Sequence, residues 1–337
     1  MTNLLPIASG KGGVGKSSYA VNLAVILAQK GKSVVLADLD FGGANLHTLL
    51  GLKNNHAGLG NFIYKQTDDF SSLLQETQIP NLRFIAGDCM YPGTANMDAS
   101  SKRRITKALA ALDADYVILD LGAGTTYNTL DFFLLTYNSI VVTTPELTSI
   151  LNAYSFLKAA AFRFFMRQFK AKSEERTFIN EYLKNASTGS DADMITLVQK
   201  IEKKFPETGS AARNELLKYR PQVVMNQGQT SSDLEMAKRL RSLVQKKLGI
   251  NMDFVGFLPK DEQVSYTIAL RKPLAVANPG AAFVSATETS AQRIMVHSYN
   301  YNELNNFEAE DISKNKDLKI LEKEFQTALQ SDNQESI

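Results

Sequence analysis

A chain of 337 residues, 44% of them hydrophobic, can bury a large core, yet no uninterrupted apolar run approaches the ~20 residues of a membrane span. Thirty-seven basic residues against 35 acidic ones leave a net charge of +2, which points to no class of partner. A single cysteine, Cys89, excludes an internal disulfide and a thiolate cluster for a metal, suits a reducing cytoplasm, and leaves only His47, His56 and His297 as scattered imidazoles.

In chain order, "LLPIAS" (4–9) reads as a buried strand starting so close to the N-terminus that a signal peptide is not expected. It runs into "SGKGGVGKSS" (9–18) and then a helix, "SYAVNLAVILAQK" (18–30). Gly10, Gly15, Lys16 and Ser17 have the spacing of a P-loop. The glycines let backbone N–H groups approach phosphate oxygens, Lys16 supplies a point charge, and the Ser17 hydroxyl is a hard ligand for Mg²⁺. One lysine suffices for such a cradle, so Lys11 needs a separate explanation.

Further strands are expected at "KSVVLADLD" (32–40), "NLRFIAGD" (81–88), "ADYVILDLG" (114–122), "NSIVVTTPE" (138–146), "PQVVMNQ" (221–227) and "MDFVGFLPKD" (252–261). Their Val/Ile-rich runs lack polar alternation, as strands buried on both faces do, so the fold class is α/β: a doubly wound, mainly parallel sheet with helices on both faces. In such folds ligands bind at the carboxyl ends of the strands. Those ends carry Asp38 and Asp40 on one strand and Asp120 on another, the latter after an apolar run, as in a Walker B carboxylate for Mg²⁺. Gly122 and Gly124 follow and allow close approach to a terminal phosphate.

Seventy-seven residues separate Thr144 from Gln222, far more than one crossover helix needs, so 163–220 is expected to be a helical insertion. It opens with "AFRFFMRQFKAK", where Phe162, Phe165, Met166 and Phe169 fall on one helical face and Arg163, Arg167 and Lys170 on the other. The aromatic stripe is expected to pack inward, with the cations solvated; a basic amphipathic helix for a membrane or partner is the other reading. Residues 299–337 form a polar tail with four lysines against nine acidic residues. Its helix, 316–329, has an apolar stripe of Leu318, Leu321, Phe325 and Leu329, suited to a partner or to folding back on its own domain. Residues 1–298 are expected to form the domain proper.

Lys11-Gly12-Gly13-Val14-Gly15-Lys16-Ser17 resembles the deviant Walker A motif of the MinD/ParA family of ATPases, and the likeness covers roughly 1–155 and 220–298. "DLDFGGANLHTLLG" (38–51) resembles switch I, "DLGAGTTYNTLDF" (120–132) switch II, and "TTPELTSILNAYSFLK" (143–158) the MinD and FlhG branches. The resemblance implies an ATP dimer in which Lys11 reaches the partner's phosphates, with Asp40 orienting the attacking water. It implies ATP contacts from Gly10 through Ser18, with Asn226 and Pro259 at the adenine and Ser17, Asp40 and Asp120 around Mg²⁺. The catalytic set is then Lys11, Lys16 and Asp40. The expected role is a slow, partner-stimulated ATPase that spatially regulates division, flagellar or polar machinery, cytoplasmic or peripheral to the inner membrane face. A DNA-partitioning ParA is the alternative, needing a basic surface for non-specific DNA binding. An iron–sulfur scaffold ATPase is disfavoured by the missing Cys-x-x-Cys, and a ligase by the signature lysine.

Overall fold

The computed structural model describes residues 2–53, 55–87, 97–186, 193–300 and 315–334. Asp88 and Cys89, part of the insertion (187–192) and part of the tail (301–314 and 335–337) lie outside the described residues. Among the described residues eight strands form one sheet: β1 (Asn3–Ala8), β2 (Val34–Leu39), β3 (Gln75–Glu76), β4 (Leu82–Ile85), β5 (Tyr116–Leu121), β6 (Ile140–Thr143), β7 (Gln222–Gly228) and β8 (Asp253–Pro259). Their order is β3-β4-β2-β5-β1-β6-β7-β8, parallel except for β3, a two-residue antiparallel edge that the sequence pattern did not announce. β1 lies between β5 and β6, so the chain leaves the sheet in opposite directions around it and opens a crevice at the strand ends.

Helices cover both faces because the strands are apolar on both. One side carries α1 (Lys16–Gln29) and α2 (Leu46–Leu49), whereas α3 (Leu59–Ile63), later in the crossover that follows β2, packs on the other. α4 (Ala99–Ala110), α5 (Tyr127–Phe133) and α6 (Leu147–Arg167) pack against the opposite core. The long connection after α6 contains α7 (Glu174–Ala186), α8 (Met194–Lys204) and α9 (Pro206–Lys218). α10 (Leu234–Leu248) joins β7 to β8, and α11 (Glu262–Ala269), α12 (Leu274–Ala277), α13 (Ala282–Asn300) and α14 (Lys316–Gln334) complete the chain.

The aromatic face of α6 is core: Phe162, Phe165 and Phe169 are buried and Met166 packs partly against them. Its cations correct the expectation of a solvated face. Arg163 and Arg167 converge with Lys102 of α4 on the buried Asp131 of α5, and of the three cations expected to face solvent only Lys170 is left exposed and outside that cluster. Burial works against the Asp131 charge, but the hydrogen bonds and charges of Arg163, Lys102 and Arg167 outweigh it and hold the carboxyl below its usual range.

The terminal helix folds back. Leu318, Leu321 and Phe325 of α14 are buried with the core of the α6 side, and Leu329 packs beside them. Arg241, itself 2% exposed, pairs with Asp317, and Arg293 of α13 pairs with Glu324. Each buried Leu or Phe contributes about 1.5–3 kcal/mol to such docking.

Candidate functional site

The loop between β1 and α1 turns through left-handed backbone at Gly13 and Gly15, both at φ 81°. A Cβ on Gly15 would stand 2.2 Å from the Asn226 amide nitrogen, and one on Gly10 would stand 2.2 Å from the Asn152 carbonyl oxygen. Gly12 and Gly13 face open space, which leaves their backbone free to approach a ligand. Helix α1 begins with the Tyr19 N–H bonded to the Gly15 carbonyl, and Ser18 lines a small groove with Asn22, Thr267 and Leu274. A helix N-terminus behind a glycine cradle is an anion site.

Lys16 is 7% exposed and donates to Asp120 Oδ1 at 2.5 Å, while the Ser17 hydroxyl donates to Asp120 Oδ2 at 2.7 Å. The segments that follow β2 and β5 converge on the same point. Asp40 Oδ1 accepts the Gly42 N–H and lies 3.2 Å from where a Cβ on Gly122 would be, and the Gly124 N–H donates to the Ser9 carbonyl. Among the described residues no group of three or more His, Cys, Asp and Glu side chains forms a cage. One hydroxyl and two carboxylates fit Mg²⁺, which takes its other ligands from phosphates and water.

Asp38 was legible as a strand end, but its burial was not. It is 1% exposed, pairs in register with Asp120, and accepts the Asp40 and Leu46 N–H groups. Burial, reinforced by the Asp120 charge, pushes its carboxyl up to about 7. The unfolded carboxyl titrates near ~3.9, so the folded state binds this proton more tightly. The Asp38 contribution to stability therefore falls as pH rises from about 4 to about 7 and is level above that. Asp38→Asn keeps one acceptor oxygen and removes the titration. Denaturation of the nucleotide-free protein at pH 5 and pH 7.5 should show the variant losing less stability than wild type over that interval. Equal losses would place the titration elsewhere.

Lys11 has another address. Its side chain is 43% exposed, and its ammonium lies 3.4 Å from Glu146 Oε2 and 3.4 Å from the Thr148 hydroxyl at the start of α6. Neither partner was singled out from sequence. On the far side of the cradle, the Asn226 amide donates to the Val14 carbonyl at 2.9 Å, and Gln227 donates to the Gly13 carbonyl at 3.3 Å. Asn226 was expected to offer a donor and an acceptor to adenine; one N–H of its amide serves the P-loop. Its Oδ1 is buried without a partner, an acceptor that fits an exocyclic amine. Pro259, buried at the end of β8, pairs with Gly228 two residues beyond Asn226.

A family model described as "ParA: NUBPL iron-transfer P-loop NTPase" matches residues 1–163. The septum site-determining protein MinD of Helicobacter pylori is 33% identical over 156 residues, 45% of this chain and 57% of that protein. The sequence likeness to ParA/MinD P-loop NTPases therefore lies in the first half of the chain, residues 1–163. Another ParA/MinD relative, the flagellum site-determining protein YlxH of the same organism, is 31% identical over 171 residues, 47% of this chain and 53% of that protein. Thus the matches span little more than half the length of these curated relatives. MinD of Pyrococcus horikoshii, solved in complex with Mg-ADP, shares the ParA/MinD fold: TM-score 0.58 at 17% identity, over 87% of this chain and 96% of that one. The chain has a single cysteine, Cys89, and so no Cys-x-x-Cys pair of its own.

Proposed function

We infer that this ParA/MinD-like chain binds and hydrolyses ATP as a molecular switch that dimerises with Mg-ATP and spatially regulates septal, flagellar or polar machinery. The carrying observation is the division of labour between two lysines of one loop. Lys16 is buried on the Ser17–Asp120 pair, where a phosphate-and-metal site belongs, whereas Lys11 sits exposed at the rim on Glu146 and Thr148. In this reading Lys16 exchanges Asp120 for phosphate oxygens, and Ser17 and Asp120 hold Mg²⁺ with Asp40 beside them. Asp40 orients the attacking water, and Lys11 of a second copy brings positive charge to the transferring phosphoryl group. Residues 1–298 with the docked α14 act as one unit, cytoplasmic, stimulated by an activating protein. No helix among the described residues is long and apolar enough to cross a membrane, so membrane contact would be peripheral.

The relatives' names favour site determination over DNA partitioning. The partitioning reading needs free cations, yet two of those on α4 are paired, Lys102 with Asp131 and Arg104 with Asp68. Retention on non-specific duplex DNA in ATP would reverse that preference.

The test is Asp40→Ala. Misplacing a reactant by about 1 Å can cost ~10² in rate, so phosphate release should fall by about that factor or more while ATP binding persists and the dimer accumulates. Normal turnover would reduce Asp40 to a cap for Gly42. Asp120→Ala should act differently, weakening the Mg²⁺ dependence of binding because a ligand of the metal is gone. An unchanged Mg²⁺ titration in that variant would remove Asp120 from the metal's shell.

A further inference from the structure

Asn226 and Gln227 are adjacent in β7, and a regular strand would send them to opposite faces. Both nevertheless reach the P-loop, at the Val14 and Gly13 carbonyls. The pairing of β7 with β8 slips between Met225 and Gly228, and Gln227 adopts φ 60°, left-handed backbone that a glutamine rarely takes. A bulge of this kind re-aims side chains.

A pair of rings lies against it. A Cβ on Gly228 would lie 2.4 Å from the Phe257 ring and 3.2 Å from that of Phe325. The two rings stack with centroids 4.2 Å apart, at 30°. Phe257 belongs to β8, but Phe325 comes from α14, almost a hundred residues after the bulge. Arg293 ties the same helix to the same strand, pairing with Glu324 and donating to the Val255 carbonyl at 3.2 Å.

We propose that α14 is a brace for the base side of the nucleotide site, with Phe325 as a positioning residue. Its ring backs Phe257 and Gly228, which keeps the bulge, and the bulge aims the unpartnered Asn226 Oδ1 at the base, while Lys16 and the N-terminus of α1 hold phosphate without it. The proposal rests on the ATP-binding reading and adds regulation to it. Docking of α14 and nucleotide affinity are then coupled, and the coupling is reciprocal: whatever draws α14 off β8 weakens nucleotide binding, and bound nucleotide protects α14.

Phosphate and base report separately, which makes the brace testable in the full chain. Titration with Mg-ATP and with Mg-tripolyphosphate should show Phe325→Ala losing about tenfold in ATP affinity and less than twofold in tripolyphosphate affinity. Phe325→Leu, which keeps most of the volume, should fall between. Hydrogen exchange of wild type should slow across 316–334 when ATP is added, a readout that needs no variant. Parallel loss of both ligands, no loss in a folded variant, or no ATP effect on exchange in α14 would each overturn the brace alone. A wild type that binds tripolyphosphate but not ATP would overturn the ATP reading, and the brace with it.

Discussion

Lys16→Ala should abolish nucleotide binding and also lower the melting temperature before any nucleotide is added. The two effects have different causes. Binding is lost because the buried lysine beside the phosphate cradle is gone, and one charge-assisted contact of ~3 kcal/mol is a factor of ~100 in affinity. Stability falls because Lys16 and Asp120 form a buried pair, with side chains 7% and 2% exposed. Removing one partner strands a carboxylate beside Asp38, and breaking such a pair typically costs about 3–5 kcal/mol. Ser17 still donates to Asp120 and softens the loss. Lys16→Ala combined with Asp120→Asn should therefore recover much of the stability and none of the affinity. Thermal melts and titration with a fluorescent ATP analogue check both halves. Unchanged affinity in Lys16→Ala would remove the P-loop assignment.

Lys11→Ala should show the reverse profile. Its ion pair with Glu146 is half-exposed, so its loss should leave stability nearly unchanged. ATP affinity should also stay near normal, because Lys16 and the loop backbone remain. ATP-induced dimerisation and hydrolysis should be lost, since a cation acting in trans on a transferring phosphoryl group is worth ~10³–10⁵ in rate. Light scattering in ATP together with phosphate release reads both. A variant that dimerises and turns over like wild type would leave Lys11 as a solvated loop lysine.

Most of the site was legible because its signals are local. Glycine at 10, 13 and 15, Lys16 and Ser17 lie within one loop, and Asp38, Asp40 and Asp120 each end an apolar run that periodicity already marks as a strand. What was not legible depends on distant partners or on backbone that sequence does not advertise. Gln227 went unnoticed because its left-handed φ belongs to a residue type that seldom adopts one. Arg163 and Arg167 read as a solvated face because nothing near them in sequence announces Asp131, thirty-odd positions earlier. The stripe Leu318, Leu321, Phe325 declared an amphipathic helix but could not say which surface it covers; that was decided by Phe257 on the edge strand β8. The edge strand β3, two residues long, is too short for any period to show.

The central claim is that one loop serves two nucleotides, its own through Lys16 and a neighbour's through Lys11. Mixing Lys11→Ala with Lys16→Ala tests it most directly. In the mixed dimer the intact P-loop of the Lys11 variant faces the intact Lys11 of the Lys16 variant. Phosphate release should return in the mixture although each variant alone is inactive, and it should peak near equal proportions. A mixture that forms the heterodimer yet stays as inactive as its components would contradict the account.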